Sequence, residues 1–424
     1  MAIGDASARR ARGSVRLPRT AGFWLLGAAL LILMCAAGAP TPLYRVYQEH
    51  WGFSAMTLTA VFAVYAVALL LALVTVGGLS DYVGRRPVLA VALVVEAVSM
   101  GMFLTAGGVG TLLTARVLQG LATGTATAVI SATLVDLQPL RNPRLGALVN
   151  SVAPTVGLAA GALASGLLVQ YAPAPTTLVF AAFLAAFVLL AAAVTLLPET
   201  VSRRPGALAS LRPRVAVPRQ ARVPFVAAAP CLVATWAMGG LYLSLGPSLA
   251  AGVLHVQNHA VGGLVVATLT GAGALASLLL RDRAPGPVMG WGAVVLATGT
   301  ALTLVALAAT SIPGFLLSTA VAGFGFGAAF LGAFRSLALL AGPSERAELF
   351  AAMYVVSYLA FSVPALIAGA AVRSLGLSAT TAAYGSVVIV LALGAALLRL
   401  LSARRATPPP APAADAAEGQ PVIR

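Results

Sequence analysis

The sequence predicts an all-α integral membrane protein, with twelve transmembrane helices set out as two pseudo-symmetric six-helix halves. Three observations predict it. The 424 residues are 60% hydrophobic and only 9% charged, with a mean hydropathy of +0.97; so little charge cannot cover the surface of a water-soluble protein of this length. Apolar windows of about twenty residues, enough to cross a bilayer at 1.5 Å per residue, recur twelve times in two groups of six. Finally, the arginines collect on alternate loops, as the positive-inside rule requires of a multi-pass protein.

The windows lie near 21–43, 55–78, 87–107, 110–134, 145–170 and 176–197, then near 223–250, 259–280, 286–309, 312–340, 347–372 and 376–401. This divides the chain into a basic N-terminal tail (1–20), an N-terminal half (21–197), a linker (198–222), a C-terminal half (223–401) and a Pro- and Ala-rich tail (402–424) expected to be disordered. The linker carries Pro205, Pro213 and Pro218 with six arginines, which favours irregular structure. The run 21–39 after the basic tail is too long for a signal peptide and lacks a small-residue cleavage site, so it reads as the first membrane helix.

The formal net charge of +15 does not point to nucleic acid, because the basic residues sit in the short gaps between windows rather than on a soluble face. All 26 are Arg, which fits a GC-rich codon bias. With the N-terminus placed inside, 21 arginines fall on the tails, linker and cytoplasmic loops, and only Arg45 and Arg373 fall outside. The expected location is therefore the inner membrane of a bacterium, with both termini cytoplasmic. Cys35 and Cys231 lie in apolar windows and suggest neither a disulfide nor a metal site. His50, His255 and His259 read as solvated residues of inter-helix segments, and no metal is expected.

Between windows two and three stands GGLSDYVGRRPVL, residues 77–89. Gly77 and Gly84 allow close approach and a tight turn, Asp81 offers a carboxylate to a helix N-terminus, and Arg85 and Arg86 hold the loop inside. Window four carries LLTARVLQGLATG (112–124). Its Arg116 is too costly to face lipid, and Gly120 and Gly124 lie on the same helix face, where a neighbour can approach closely. Window five carries VNSVAPTVGLAAGALASG (149–166), in which Gly157, Gly161 and Ser165 form a small-residue seam behind Pro154.

These segments resemble signatures of the major facilitator superfamily. The 77–89 loop matches its loop signature at Gly77, Leu79, Asp81, Gly84, Arg85, Arg86 and Leu89, departing at Ser80 and Tyr82. Leu112, Arg116, Gln119 and Gly120 resemble its helix-4 motif. Window five is similar to the Gly-Pro motif of the family's antiporters, although Ala153 and Leu158 replace two of its glycines. The resemblance implies a latch in which Asp81, Arg85 and Asp136 cluster, and a central cavity lined by helices 1, 4, 7 and 10. On those helices Trp24, Trp236, Tyr242, Phe326 and Phe330 stand as candidate cavity residues, in keeping with a neutral or lipophilic cargo. Glu96, near the middle of helix 3, is a candidate proton carrier, with a structural hydrogen bond favoured because helix 3 is peripheral in this fold.

An internal repeat supports the two-half organisation. Gly120 and Gly124 recur as Gly323 and Gly327, and SDYVGRRPV (80–88) has a degraded echo in RDRAPGPV (281–288). The expected function is alternating-access transport, with proton-coupled efflux of a small lipophilic or neutral compound favoured over sugar or polar-metabolite transport. A non-transporting membrane receptor is a remote alternative. Scattered acids argue against an enzyme, and no Walker A pattern points to ATP. The expected partners are a small-molecule substrate, protons and the lipid bilayer, without cofactor or nucleic acid, and the expected state is a monomer.

Overall fold

A computed structural model describes residues 16–142, 144–342 and 345–406. The N-terminal tail to residue 15 and the C-terminal tail from residue 407 lie outside the described residues, and with them most of the segments expected as tails.

Among the described residues, twelve apolar helices are long enough to span a membrane: α1 (Arg19–Trp51), α2 (Ala55–Thr75), α3 (Arg85–Leu104), α4 (Val109–Leu137), α5 (Leu145–Tyr171), α6 (Pro175–Val194), α7 (Arg219–Gly252), α8 (His259–Leu280), α9 (Pro285–Ala308), α10 (Ile312–Ala338), α11 (Arg346–Leu375) and α12 (Leu377–Ser402). Burial follows the helical period. On α3, Val91, Val94 and Val98 face outward while Leu93, Glu96 and Met100 face the bundle.

Two boundaries differ from expectation. Helix α1 runs to Trp51, broken at Ala39, because Pro40 and Pro42 cannot continue the first segment but suit the opening turn of a second. His50 consequently sits in the last turn of α1, its Nδ1 3.0 Å from the Val46 carbonyl, rather than in a loop. Helix α7 begins at Arg219, so the linker is shorter than 198–222; it carries one short helical turn, Ala207–Ser210.

Each half repeats one packing scheme. In the first, α4 packs on α2 and α3, α3 on α6, and α1 on α5; in the second, α10 packs on α8 and α9, α9 on α12, and α7 on α11. The halves meet through α5 against α8 and α11 against α2, which are equivalent pairs under the same two-fold relation. The repeated glycines explain the close junctions. Gly120 and Gly124 lie against the α2 backbone at Tyr65 and Leu69, and Gly323 and Gly327 lie against the α8 backbone at Leu269 and Gly273. A side chain at any of the four would collide with main chain.

Candidate functional site

The 77–89 loop, the end of α4 and the start of the linker converge on one face. Gly84 takes φ +108°, a conformation that suits glycine, and turns the chain into α3. Arg85 pairs with both predicted acids: its guanidinium lies 3.3 Å from Asp81 and 2.8 Å from Asp136. Thr200 adds a hydroxyl hydrogen bond to Asp136 at 2.9 Å. The carboxylate that caps the α3 N-terminus is Glu199, however, and not Asp81. It accepts the Arg85 and Arg86 backbone N–H groups at 2.8 and 3.2 Å, where the helix dipole favours negative charge. Asp81 stays 58% exposed. Arg86 donates to the Thr195 carbonyl and Arg204 N–H to the Tyr82 carbonyl, so the loop is pinned by α6 and the linker. Glu199 was missed because its partners lie 114 and 113 residues away and nothing local marks it.

The helix-4 motif forms a polar core inside the N-terminal half. Arg116 is 1% exposed. It donates to the Tyr44 hydroxyl through Nε and a terminal nitrogen and to Gln119 Oε1 at 2.6 Å, and its guanidinium lies over the Tyr65 ring, 4.7 Å from the centroid. Gln119 in turn donates to the Ala36 carbonyl at 3.0 Å, tying α4 to α1. Glu96 is fully buried. Thr123 donates to its Oε1 at 2.5 Å, and its Oε2 has no partner among the described residues.

A continuous chain of aromatic rings runs between the halves. Centroid separations are 4.9 Å for Phe350–Phe334, 5.8 Å for Phe334–Phe330, 5.6 Å for Phe330–Trp236, 4.8 Å for Trp236–Tyr358, 5.5 Å for Trp236–Phe361 and 4.7 Å for Phe361–Phe62. The rings from Phe350 to Tyr358 are half-buried; Phe361 and Phe62 are buried where α11 meets α2. The Trp236 indole N–H is buried without an acceptor among the described residues, an open donor that a ligand acceptor would satisfy.

Of the five cavity candidates, Trp236 and Phe330 belong to this chain. The other three do not. Phe326 packs between α7 and α8 against Gly239 and Gly273. Tyr242 is buried inside the C-terminal half, bonded to Thr319 at 2.9 Å and stacked on Phe315. Trp24 touches Phe23 edge-on at the start of α1 and is 56% exposed. Sequence reasoning missed the α11 contribution, although Phe350, Tyr354, Tyr358 and Phe361 share one helix face by their spacing.

The small-residue seam of α5 also divides differently from expectation. Gly157 and Gly161 pack on α1 at Leu31, Met34 and Cys35, within their own half. Ser165 donates to the Ala39 carbonyl at 2.6 Å, bracing the α1 break. The contact with the other half uses the neighbouring face, Ala162 and Gly166 against Gly263 of α8. Pro154 lies inside α5 and removes one backbone donor from that helix.

Hydrogen bonds that cross between halves, among the described residues, gather at the end of the molecule opposite the 77–89 loop. Arg45 reaches the Val256 carbonyl at 3.4 Å and Gln257 at 3.2 Å, and the His259 N–H donates to Gln170 at 2.8 Å. Thr59 sits against Gly369 at that same end. The halves are therefore clamped on the far face, and the half-buried rings extend from there toward the face that carries the loop. No group of His, Cys, Asp and Glu able to hold a metal occurs among the described residues.

Two six-helix bundles clamped at one end around an aromatic interior define a membrane transporter. Residues 25–298 match the Major Facilitator Superfamily, and the chain belongs to that superfamily. Similar solved structures include the human organic anion transporter MFSD10 (TETRAN), with a TM-score of 0.64 and 16% identity over 90% of this chain and 100% of that one. The nucleoside transporter NupG also gives a TM-score of 0.64, at 13% identity over 91% of this chain and 100% of that one. No curated protein sequence matches the chain.

Proposed function

We propose that this transporter exports a small neutral or lipophilic organic compound across a bacterial inner membrane, in exchange for protons. The observation that carries the cargo class is the ring chain from Phe350 to Phe361, with the unpaired Trp236 N–H in its middle. Flat apolar surface and one directional donor suit a hydrophobic molecule with a single acceptor. Charged side chains within the spans stay at helix ends or, for Glu96 and Arg116, inside the N-terminal bundle. An organic anion would call for a guanidinium at the rings.

The arginine asymmetry supports an orientation with the 77–89 loop, the linker and both termini in the cytoplasm. The clamp on the far face then corresponds to an inward-open state. Helix α2 meets the far end of α11 at Thr59 and Gly369. Rocking about that contact carries the loop at the other end of α2 onto the first turn of α11, where the exposed Asp81 meets a helix N-terminus. Asp81, Arg85 and Asp136 thus act as the latch of the outward-open state. Glu96 is the proposed proton site, buried with one carboxyl oxygen held by Thr123 and the other without a partner among the described residues.

A substrate panel on inverted vesicles with an imposed pH gradient tests the reading. Gradient-dependent accumulation of lipophilic or neutral aromatic compounds is the expected result; accumulation of sugars alone, or uptake indifferent to the gradient, would overturn it. A single cysteine replacing Ala209 in a cysteine-free background should resist an impermeant thiol reagent added outside intact cells, and labelling without lysis would reverse the orientation.

A further inference from the structure

Helix α11 has two distinct faces. Leu359, Val363 and Ile367 are exposed and mark the side that meets lipid. Tyr354 and Tyr358 lie roughly 140–180° round the helix from them at 3.6 residues per turn, on the side turned to the other helices. Their ring contacts agree. Tyr354 lies 6.3 Å from Phe334 of α10, and Tyr358 lies 4.8 Å from Trp236 of α7 and 6.3 Å from Tyr354, all between centroids. Both tyrosines are half-buried.

Their hydroxyls are free. Neither has a hydrogen-bond partner among the described residues, and neither is sealed off by protein as the Trp236 N–H is. Other tyrosines of the spans are paired: Tyr44 with Arg116, Tyr242 with Thr319, and Tyr384 with the Ala237 carbonyl at 2.7 Å. Measured from Arg346, Tyr354 and Tyr358 lie about 12 and 18 Å along α11, well inside a ~30 Å hydrocarbon core. At that depth an unpaired hydroxyl is costly. The same face carries phenylalanine at 350 and 361, so ring packing does not itself call for a phenol.

Resting on the aromatic-cargo reading, we propose that Tyr354 and Tyr358 are specificity residues that select fused-ring aromatics bearing hydroxyl or carbonyl oxygens over hydrocarbons of the same shape. Trp236, Tyr358 and Tyr354 set one indole N–H and two phenols in a row on neighbouring rings, and each phenol both donates and accepts. A fused-ring cargo reaches more than one of these groups while its faces stack on the rings beside them. A site built to hydrogen-bond an oxygen rejects the analogue that lacks it.

Equilibrium binding to the full chain in lipid nanodiscs tests the proposal, with binding to empty nanodiscs subtracted. The probes are quinizarin, a dihydroxyanthraquinone, and anthracene, the hydrocarbon with the same fused rings. The readout is the ratio of the two affinities in one sample. Quinizarin should be preferred by about fivefold for each hydroxyl engaged. Tyr354→Phe and Tyr358→Phe, which keep the rings and their packing, should each lower the ratio by about that factor, and the double substitution should abolish the preference. Tyr242→Phe, which removes a phenol bonded inside the C-terminal half, should leave the ratio unchanged. A ratio near one in the unsubstituted chain, or a preference that survives the double substitution, would overturn the proposal and leave aromatic cargo standing. Binding of neither probe would overturn the cargo reading and this proposal with it.

Discussion

Inside the N-terminal half, Tyr44 of α1 meets Arg116 of α4; at the corresponding place in the C-terminal half, Tyr242 of α7 meets Thr319 of α10. The offset from Arg116 to Thr319 is the one that relates Gly120 to Gly323. The correspondence extends to a neighbour. Ser99 of α3 bonds the Ala115 carbonyl of α4 at 2.8 Å, and Thr303 of α9 bonds Ser318 of α10 at 3.1 Å. Both junctions thus carry a hydrogen-bonded pair, charged in one half and neutral in the other. Charge in the N-terminal half is additional. A buried guanidinium and a buried carboxyl one helix apart are expensive in a membrane, which is why such residues mark ion and proton pathways. The C-terminal half, freed of them, supplies most of the aromatic rings. Under the proposed function, coupling belongs to one half and cargo contact mainly to the other.

The largest expected effect tests that asymmetry directly. Arg116→Ala removes three hydrogen bonds and leaves the Tyr44 hydroxyl and the Gln119 carbonyl oxygen without their donors. At roughly 1–3 kcal/mol for each orphaned buried group, a loss of about 3–5 kcal/mol follows, read as a collapse of monodisperse protein on heating in detergent. Arg116→Lys should recover only part of it, because an ammonium cannot reproduce the planar fork. Normal thermal stability in Arg116→Ala would mean that the N-terminal polar core is as dispensable as its neutral counterpart.

Twelve spans and their two-fold repeat were legible in the sequence because lipid imposes a single length rule and because glycines at helix junctions have no substitute. Arg85, Asp81 and Asp136 were legible only through the family resemblance, since Asp136 is remote in sequence. Glu199 and the α11 rings were not foreseen, for different reasons. The Glu199 cap depends on where the end of α6 lands relative to the start of α3, which no local pattern encodes. The ring face of α11 was visible as a spacing, but which face turns inward depends on packing between the halves. Tyr242 illustrates the same limit: a tyrosine on a cavity helix points inward or sideways according to a partner, here Thr319, seventy-seven residues away.

Next in size is Glu96→Gln. The amide keeps an oxygen for the Thr123 hydroxyl and loses only the exchangeable proton, so folding and substrate exchange should persist while accumulation driven by a pH gradient disappears. Intact gradient-driven transport would reduce Glu96 to a structural hydrogen-bond acceptor and move coupling to Asp136 or Asp81. A smaller change is expected of Asp81→Asn. Weakening a helix-terminus interaction of about 0.3–1 kcal/mol shifts a near-balanced equilibrium severalfold at most, so transport should fall by that factor at an unchanged protein level. Its C-terminal echo, Asp282, pairs with adjacent Arg281 and is largely exposed; Asp282→Asn should transport normally. Equal loss in both would mean that the two loops latch symmetrically.

The smallest effect belongs to Thr319→Val, which deletes the hydroxyl at the position equivalent to Arg116 and nearly conserves volume. Tyr242 loses its 2.9 Å partner, a single neutral hydrogen bond. The stacked contact with Phe315, at a centroid distance of 6.2 Å, is untouched. One neutral hydrogen bond is worth about 1 kcal/mol, so the thermal midpoint should move by a few degrees and transport should be unchanged. Because Tyr242 lies off the ring chain, substrate preference should also stay the same. A Thr319→Val chain that fails as Arg116→Ala fails would show both junctions to be equally essential, and one that changes cargo would return Tyr242 to the cavity wall.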